Sequence, residues 1–146
     1  MPDPDRTGAD RTIVTAAVIE RDGRLLVARR LEGSHLAGFW EFPGGKCEPG
    51  EPAERCLERE LLEELGARAI VREEILRTPY AYEDRTLDLR FFRCELITEP
   101  APLLGQEIRW VRRQDLGSLA FPPADRELVE RLCREGNGDQ GRGTRE

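Results

Sequence analysis

The chain has 146 residues, 38% of them hydrophobic and 36% charged, with a formal net charge of −6. That length fits one domain around one core, and the hydrophobic share excludes a disordered chain. The acidic balance argues against a nucleic-acid polymer as partner, and no apolar run is long enough to span a membrane, so neither is expected.

The opening "MPDPDRTGAD" is polar and lacks the apolar stretch of a secretion signal. Residues 1–10 read as a flexible N-terminal arm, and the protein as cytoplasmic. Thr12–Ile19, "TIVTAAVI", is rich in β-branched residues and predicts a buried strand. Asp22-Gly23 is a hairpin signal, after which Arg24–Arg29 returns as a second strand. Phe39–Phe42, "FWEF", is a short strand stopped by Pro43. A helix follows a loop rich in Gly and Pro. It starts at Gly50 or Glu51, takes Pro52 in its first turn and stops at Gly66.

Arg68–Glu83 and Arg85–Ile97 predict a long hairpin turning near Asp84, and Glu107–Val111 a last strand. Asp125–Cys133 predicts a second helix, with Leu128, Val129, Leu132 and Cys133 on one face. Strands with two helices among them suggest an α/β sandwich with a mixed sheet. Residues 136–146, "GNGDQGRGTRE", carry no apolar residue and are expected to form a disordered tail, leaving residues 11–135 as a single domain. Cys47, Cys56, Cys94 and Cys133 form no CxxC pair and have no metal-ligand spacing. Without a secretion signal they are expected as free thiols in a reducing compartment.

The first helix raises a chemical question. At about 100° per residue, Ala53, Leu57, Leu61 and Leu65 form one apolar stripe. Relative to Glu60, Leu57 and Leu61 lie at about 60° and 100°, Glu64 at about 40° and Glu63 at about −60°. Glu60 and Glu64 therefore adjoin the buried stripe instead of opposing it. Carboxylates crowded at the edge of a core raise one another's pKa unless a cation neutralises them, and hard oxygen donors suit Mg²⁺ or Mn²⁺. A solvated acidic face is the plain alternative.

From Gly45 the segment reads G-x5-E-x7-R-E-U-x-E-E-x-G-U, with U aliphatic. It resembles the Nudix box, the signature of the Nudix hydrolases, matched at Gly45, Glu51, Arg59, Glu60, Leu61, Glu63, Glu64 and Gly66. Ala67 stands where the family has a larger aliphatic residue. The likeness runs over roughly Ile13 to Leu132 and is strongest to the MutT-like branch, through "ARRLEGSHLAGFWEFPGGK", "YEDRTLDLRFF" and "FPPAD". The whole also resembles bacterial CTP pyrophosphohydrolases.

The resemblance implies an α/β/α sandwich and metal-assisted hydrolysis of a nucleoside diphosphate linked to another group. It implies that Glu60, Glu63, Glu64 and the carbonyl of Gly44 bind Mg²⁺, with Mn²⁺ as its substitute. Arg59 and Glu51 are implied as a pair joining loop to helix, and Arg30, His35, Glu41, Arg85 and Asp125 as substrate contacts. The implied partner is a nucleoside triphosphate, split by a monomer or homodimer into monophosphate and pyrophosphate, with water attacking Pβ. Leu104 occupies the place of a family Glu before the last strand. Glu107 is a candidate substitute near the metal, or a strand-edge carboxylate facing water. Glu60, Glu63 and Glu107 are the candidate general bases.

Asp125 is ambiguous between a cap for the last helix and a reader of the base. An ionised Asp only accepts hydrogen bonds, which suits the cytosine N4–H₂ or the guanine N1–H and N2–H₂ edge, whereas a protonated one also donates. Cytosine nucleotides and 8-oxo-dGTP are thus both expected substrates, with a lean toward cytosine. Hydrolysis of another nucleoside diphosphate such as ADP-ribose, and nucleotide sensing without catalysis, are the alternatives.

Overall fold

The structure is a computed structural model that describes residues 11–82 and 85–143, with side chains described for 12–81 and 86–135. The expected arm over residues 1–10 and the turn near Asp84 lie outside the described residues. The chain divides into two compact units, Met1–Ile19 with Pro43–Leu104, and Glu20–Phe42 with Gly105–Glu146.

In the first unit, strand β1 (Arg11–Arg21, through Ile19) runs parallel to β6 (Arg85–Leu96), with Val14 opposite Leu89 and Ala17 opposite Phe92. β6 pairs antiparallel with β5 (Ala69–Tyr82), so the sheet is mixed as expected. Ala17, Val18, Phe91 and Phe92 are almost fully buried. Strand β4 (Gly44–Lys46) pairs antiparallel with β1, Thr15 opposite Gly45. The sequence does not predict this strand. Its register brings Gly44 so close to β1 that a Cβ would collide with the carbonyl of Thr15, and its φ of 155° also favours glycine.

Helix α1 (Ala53–Leu65) follows and packs on β4 and β5. Ala53, Cys56, Leu57, Leu61 and Leu65 are its buried residues, the expected stripe with Cys56 added. The helix begins later than expected, because Pro52 holds an extended N-cap conformation (ψ 142°). Gly66 closes it in the left-handed region, φ 62°, its N–H bonded back to Leu61 and Leu62.

In the second unit, the end of β1 turns at Asp22-Gly23 into β2 (Arg24–Arg29), both turn residues at positive φ as a two-residue hairpin requires. β2 pairs with β3 (Trp40–Glu41) and with β7 (Ile108–Arg112), and its four inner residues are buried. Two 3-10 turns, Arg113–Ser118 and Pro123–Asp125, lead into α2 (Arg126–Gly143). Leu128, Val129 and Leu132 are buried on the predicted face. The helical backbone continues past Gly136 to Gly143, into the segment expected to be disordered, because each further residue adds an i→i−4 bond once the helix is nucleated.

One expectation about cysteine is corrected. Cys47 and Cys56 form a disulfide, their Cα atoms 5.3 Å apart, while Cys94 and Cys133 are free. The sequence offers no CxxC signal for this pair, since a strand end and a helix turn bring the two sulfurs together.

Candidate active site

The loop between β4 and α1 and the first turns of α1 carry one polar network. Arg59 donates from Nε to Glu51 Oε2 at 2.8 Å and from Nη2 to Glu51 Oε1 at 2.9 Å. Its Nη1 reaches Glu60 Oε2 at 3.0 Å and Glu63 Oε2 at 3.2 Å, and Nη2 also donates to the carbonyl of Lys46 at 3.3 Å. The Glu48 N–H completes the clamp on Glu51 Oε1. Arg59 is therefore the positive group observed among the helix carboxylates. Its hydrogen bonds, with that of Glu48, hold the Glu51 carboxyl down at about 2.

Burial follows the helical geometry read from the sequence. The Glu60 side chain is 14% exposed and that of Glu63 56%. Glu64 is half-buried, and its carbonyl accepts from Leu103 N–H. A Cβ at Gly45 would overlap the Glu60 carboxylate, so glycine there is what leaves room for that group. Hard carboxylate oxygens around a glycine cradle fit a divalent cation of the Mg²⁺ kind. Among the described residues, however, the three acidic or thiol groups with ligand atoms gathered within 4.8 Å are Cys47, Glu51 and Cys56. That trio does not suit a metal, because its sulfurs are bonded to each other and Glu51 is already held twofold by Arg59.

A groove of about 500 Å³ runs beside α1, lined by Glu51, Arg55, Glu58, Arg59, Leu62 and Ile97 among others. It does not include Glu60, Glu63 or Glu64, so this groove and the carboxylate group are not the same feature.

In the second unit Arg30, Glu41 and Asp125 form another group. Arg30 Nη1 donates to Glu41 Oε1 at 2.7 Å, and Arg30 Nε donates to the carbonyl of His35. The His35 residue is exposed. Burial raises the Glu41 carboxyl against the opposing pull of Arg30. Asp125 is buried, and burial together with the charge of Glu41 pushes it up to about 7, Arg30 opposing. Near neutral pH it is therefore divided between an acceptor and a donor form.

Glu107 pairs with Arg109 at 2.9 Å and with Arg29 at 3.6 Å, at 45% exposure, and its carboxyl is lowered by them. Two cations thus hold it just before the start of β7. Arg85 lies in β6, and its side chain is outside the described residues. Sequence reasoning missed the disulfide within this loop. A hint lay in Cys56, which falls on the apolar stripe three residues after Ala53.

A NUDIX domain model matches residues 14–131. The chain belongs to the Nudix hydrolase family, in its MutT-like branch. It is 55% identical over 118 residues to a CTP pyrophosphohydrolase of Escherichia coli, covering 80% of this chain and 87% of that one. It is 39% identical over 124 residues to an 8-oxo-dGTP diphosphatase of Haemophilus influenzae, covering 84% and 91%. The solution structure of the Escherichia coli ORF135 protein is similar at 36% identity and a TM-score of 0.75, covering 82% and 86%. The fold class is accordingly the Nudix α/β/α sandwich with a mixed sheet. Nudix hydrolases generally depend on divalent metals. Among the described residues no helix is long and apolar enough to cross a membrane.

Proposed function

We propose that the protein is a Mg²⁺-dependent nucleoside triphosphate pyrophosphohydrolase, converting a triphosphate and water into a monophosphate and pyrophosphate. Cytosine nucleotides such as CTP, dCTP and modified dCTP are the preferred substrates, within a role in sanitising the nucleotide pool. The observation that carries the reading is the clamp of Arg59 on Glu51, Glu60 and Glu63 inside an intact Nudix box. The 55% identity to a CTP pyrophosphohydrolase supports the base. A second reading, 8-oxo-dGTP, is favoured by the divided protonation of Asp125, whose neutral form supplies the donor that a purine O6 needs.

Glu60, Glu63, Glu64 and the Gly44 carbonyl would hold the metal. Bound Mg²⁺, or Mn²⁺ in its place, supplies charge neutralisation and a bound water of lowered pKa. Arg59 keeps Glu60 and Glu63 oriented through charge-assisted bonds. A carboxylate takes the proton of the attacking water, with Glu60 and Glu63 the candidates and Glu107 a weaker one because two arginines hold it. Arg30 and Arg85 serve the phosphates or sugar, Asp125 reads the base, and Glu41 and His35 complete that group. Residues 11–135 are the catalytic domain of a cytoplasmic monomer or homodimer, flanked by an arm and a tail, with no polymer or membrane partner.

Purified protein with Mg²⁺ and a panel of CTP, 5-methyl-dCTP, dGTP and 8-oxo-dGTP tests this reading. Monophosphate and pyrophosphate are the expected products. Diphosphate and phosphate, or no turnover of any triphosphate, would refute it.

A further inference from the structure

We propose that Cys47 and Cys56 are a reversible, peroxide-oxidised dithiol whose disulfide tightens the loop carrying Glu51. The inference rests on the proposed hydrolase reading for its consequence, though not for its chemistry. The two cysteines bracket residues 48–55, and one oxygen of Glu51 lies within 4.8 Å of both sulfurs. The crosslink and the Glu51–Arg59 pair thus close the same loop onto the same helix. Intracellular disulfides are mostly transient and redox-sensing, which is the behaviour expected of one in a cytoplasmic enzyme.

The environments of the two sulfurs differ in the way such a pair requires. Cys47 is partly exposed and can meet a small oxidant. Cys56 is fully buried, with its sulfur 3.4 Å from Thr15 Oγ1 and 3.8 Å from the carbonyl of Gly45. The Cys47 thiolate attacks hydrogen peroxide, the O–O bond breaks, and the leaving hydroxide takes up a proton to give water and a sulfenic acid. Cys56, giving up its proton, attacks that sulfur; the S–S bond forms, the S–O bond breaks, and a second water leaves. The two sulfurs together lose two electrons, which the peroxide accepts. A dithiol reductant reverses the step by exchange. Cys94 stays out of this chemistry, since burial, with the charge of Glu58, pushes its thiol up to about 12.

Two thiols need more separation than a disulfide. Cys56 is fully buried on helix α1 while Cys47 is partly exposed in the loop, so reduction moves Cys47 and the loop beyond it. The carbonyl of Lys46, which accepts from Arg59, and the N–H of Glu48, which donates to Glu51, flank that residue. Reduction thus loosens the two contacts that fix the clamp, and oxidation restores them.

The test uses the full chain, reduced with dithiothreitol or oxidised with hydrogen peroxide, then alkylated and mapped by mass. The expected oxidised product joins Cys47 to Cys56 and leaves Cys94 and Cys133 alkylated. Amide hydrogen exchange over residues 48–52 should slow on oxidation, and KM for CTP should fall about threefold or more, as preorganisation of a loop predicts. Cys47→Ser should hold both quantities at the reduced values under either treatment. Sulfinic acid in place of the bond, or exchange and KM unmoved by it, would overturn the proposal. If neither form turns over any triphosphate of the panel, the hydrolase reading falls alone, and mass mapping with hydrogen exchange still decides the dithiol.

Discussion

Arg59 and Glu51 meet through a twofold hydrogen bond of 2.8 and 2.9 Å, and the same guanidinium extends its third nitrogen to Glu60 and Glu63. One side chain thereby fixes the loop and orients two of the helix carboxylates. A lysine has no planar fork and cannot do both. Arg59→Lys and Glu51→Gln are each expected to lower kcat/KM by about a hundredfold, the scale of a small misplacement in an active site. Steady-state kinetics beside circular dichroism check this; unchanged kinetics in a folded variant would contradict it. The clamp should also survive mild acid. With its folded pKa lowered to about 2, Glu51 contributes stability that is present above the unfolded pKa near 4.5 and lost only as pH falls through about 2.

The metal assignment predicts a different pattern. Glu63→Gln and Glu64→Gln should each cut kcat at least about a hundredfold, whereas Glu107→Gln, a residue already satisfied by Arg29 and Arg109, should have a smaller effect. Mn²⁺ binding measured by paramagnetic resonance should weaken in the first two variants. A strong chelator should abolish turnover of the unmodified enzyme, and Mg²⁺ should restore it. Full activity in chelator would remove the assignment.

What could be read in advance was local in the chain. The carboxylate helix carries its apolar stripe, its Gly66 stop and its acidic edge within thirteen residues and their flanks. The Asp22-Gly23 turn is equally local. Strand β4 was not legible, because "GGK" has no strand propensity and exists through its pairing with β1, thirty residues earlier. The disulfide was hidden for the same reason. Arg59 was readable as the partner of Glu51, but its reach to Glu60 and Glu63 depends on rotamers that spacing does not determine. The half-buried Glu41 and the buried Asp125 are separated by 84 positions, and no periodicity links them.

That pair gives a pH prediction. Asp125, raised to about 7, changes from donor and acceptor to acceptor across neutral pH. The ratio of kcat/KM for CTP over 8-oxo-dGTP should therefore rise between about pH 6 and 8, as the ionised form accumulates. Asp125→Asn should flatten that dependence and shift selectivity toward 8-oxo-dGTP. Stability moves oppositely: a raised carboxyl favours the folded state while it is protonated, so this contribution declines from about pH 4 to about pH 7 and is flat above. A ratio that ignores pH in the unmodified enzyme would separate Asp125 from base reading.

The last prediction concerns the buried cation of the second unit. Arg113, its side chain 9% exposed, donates twice to Glu20 at 3.1 and 2.9 Å and once to Glu135 at 3.0 Å. Glu20 and Glu135 are 31% and 42% exposed and can recover water if the bond is lost, but Arg113 cannot. Removing the twofold partner therefore leaves the buried Arg113 with only Glu135 and the Leu132 carbonyl, which costs about 3 kcal/mol, whereas removing the more exposed partner costs about 1 kcal/mol. Glu20→Gln should lower the urea midpoint more than Glu135→Gln, with m unchanged in both. Turnover at 25 °C should stay near normal in each, because neither belongs to the carboxylate group. Equal losses in the two variants would mean that Arg113 finds other compensation, and that its burial is not what makes this contact stabilising.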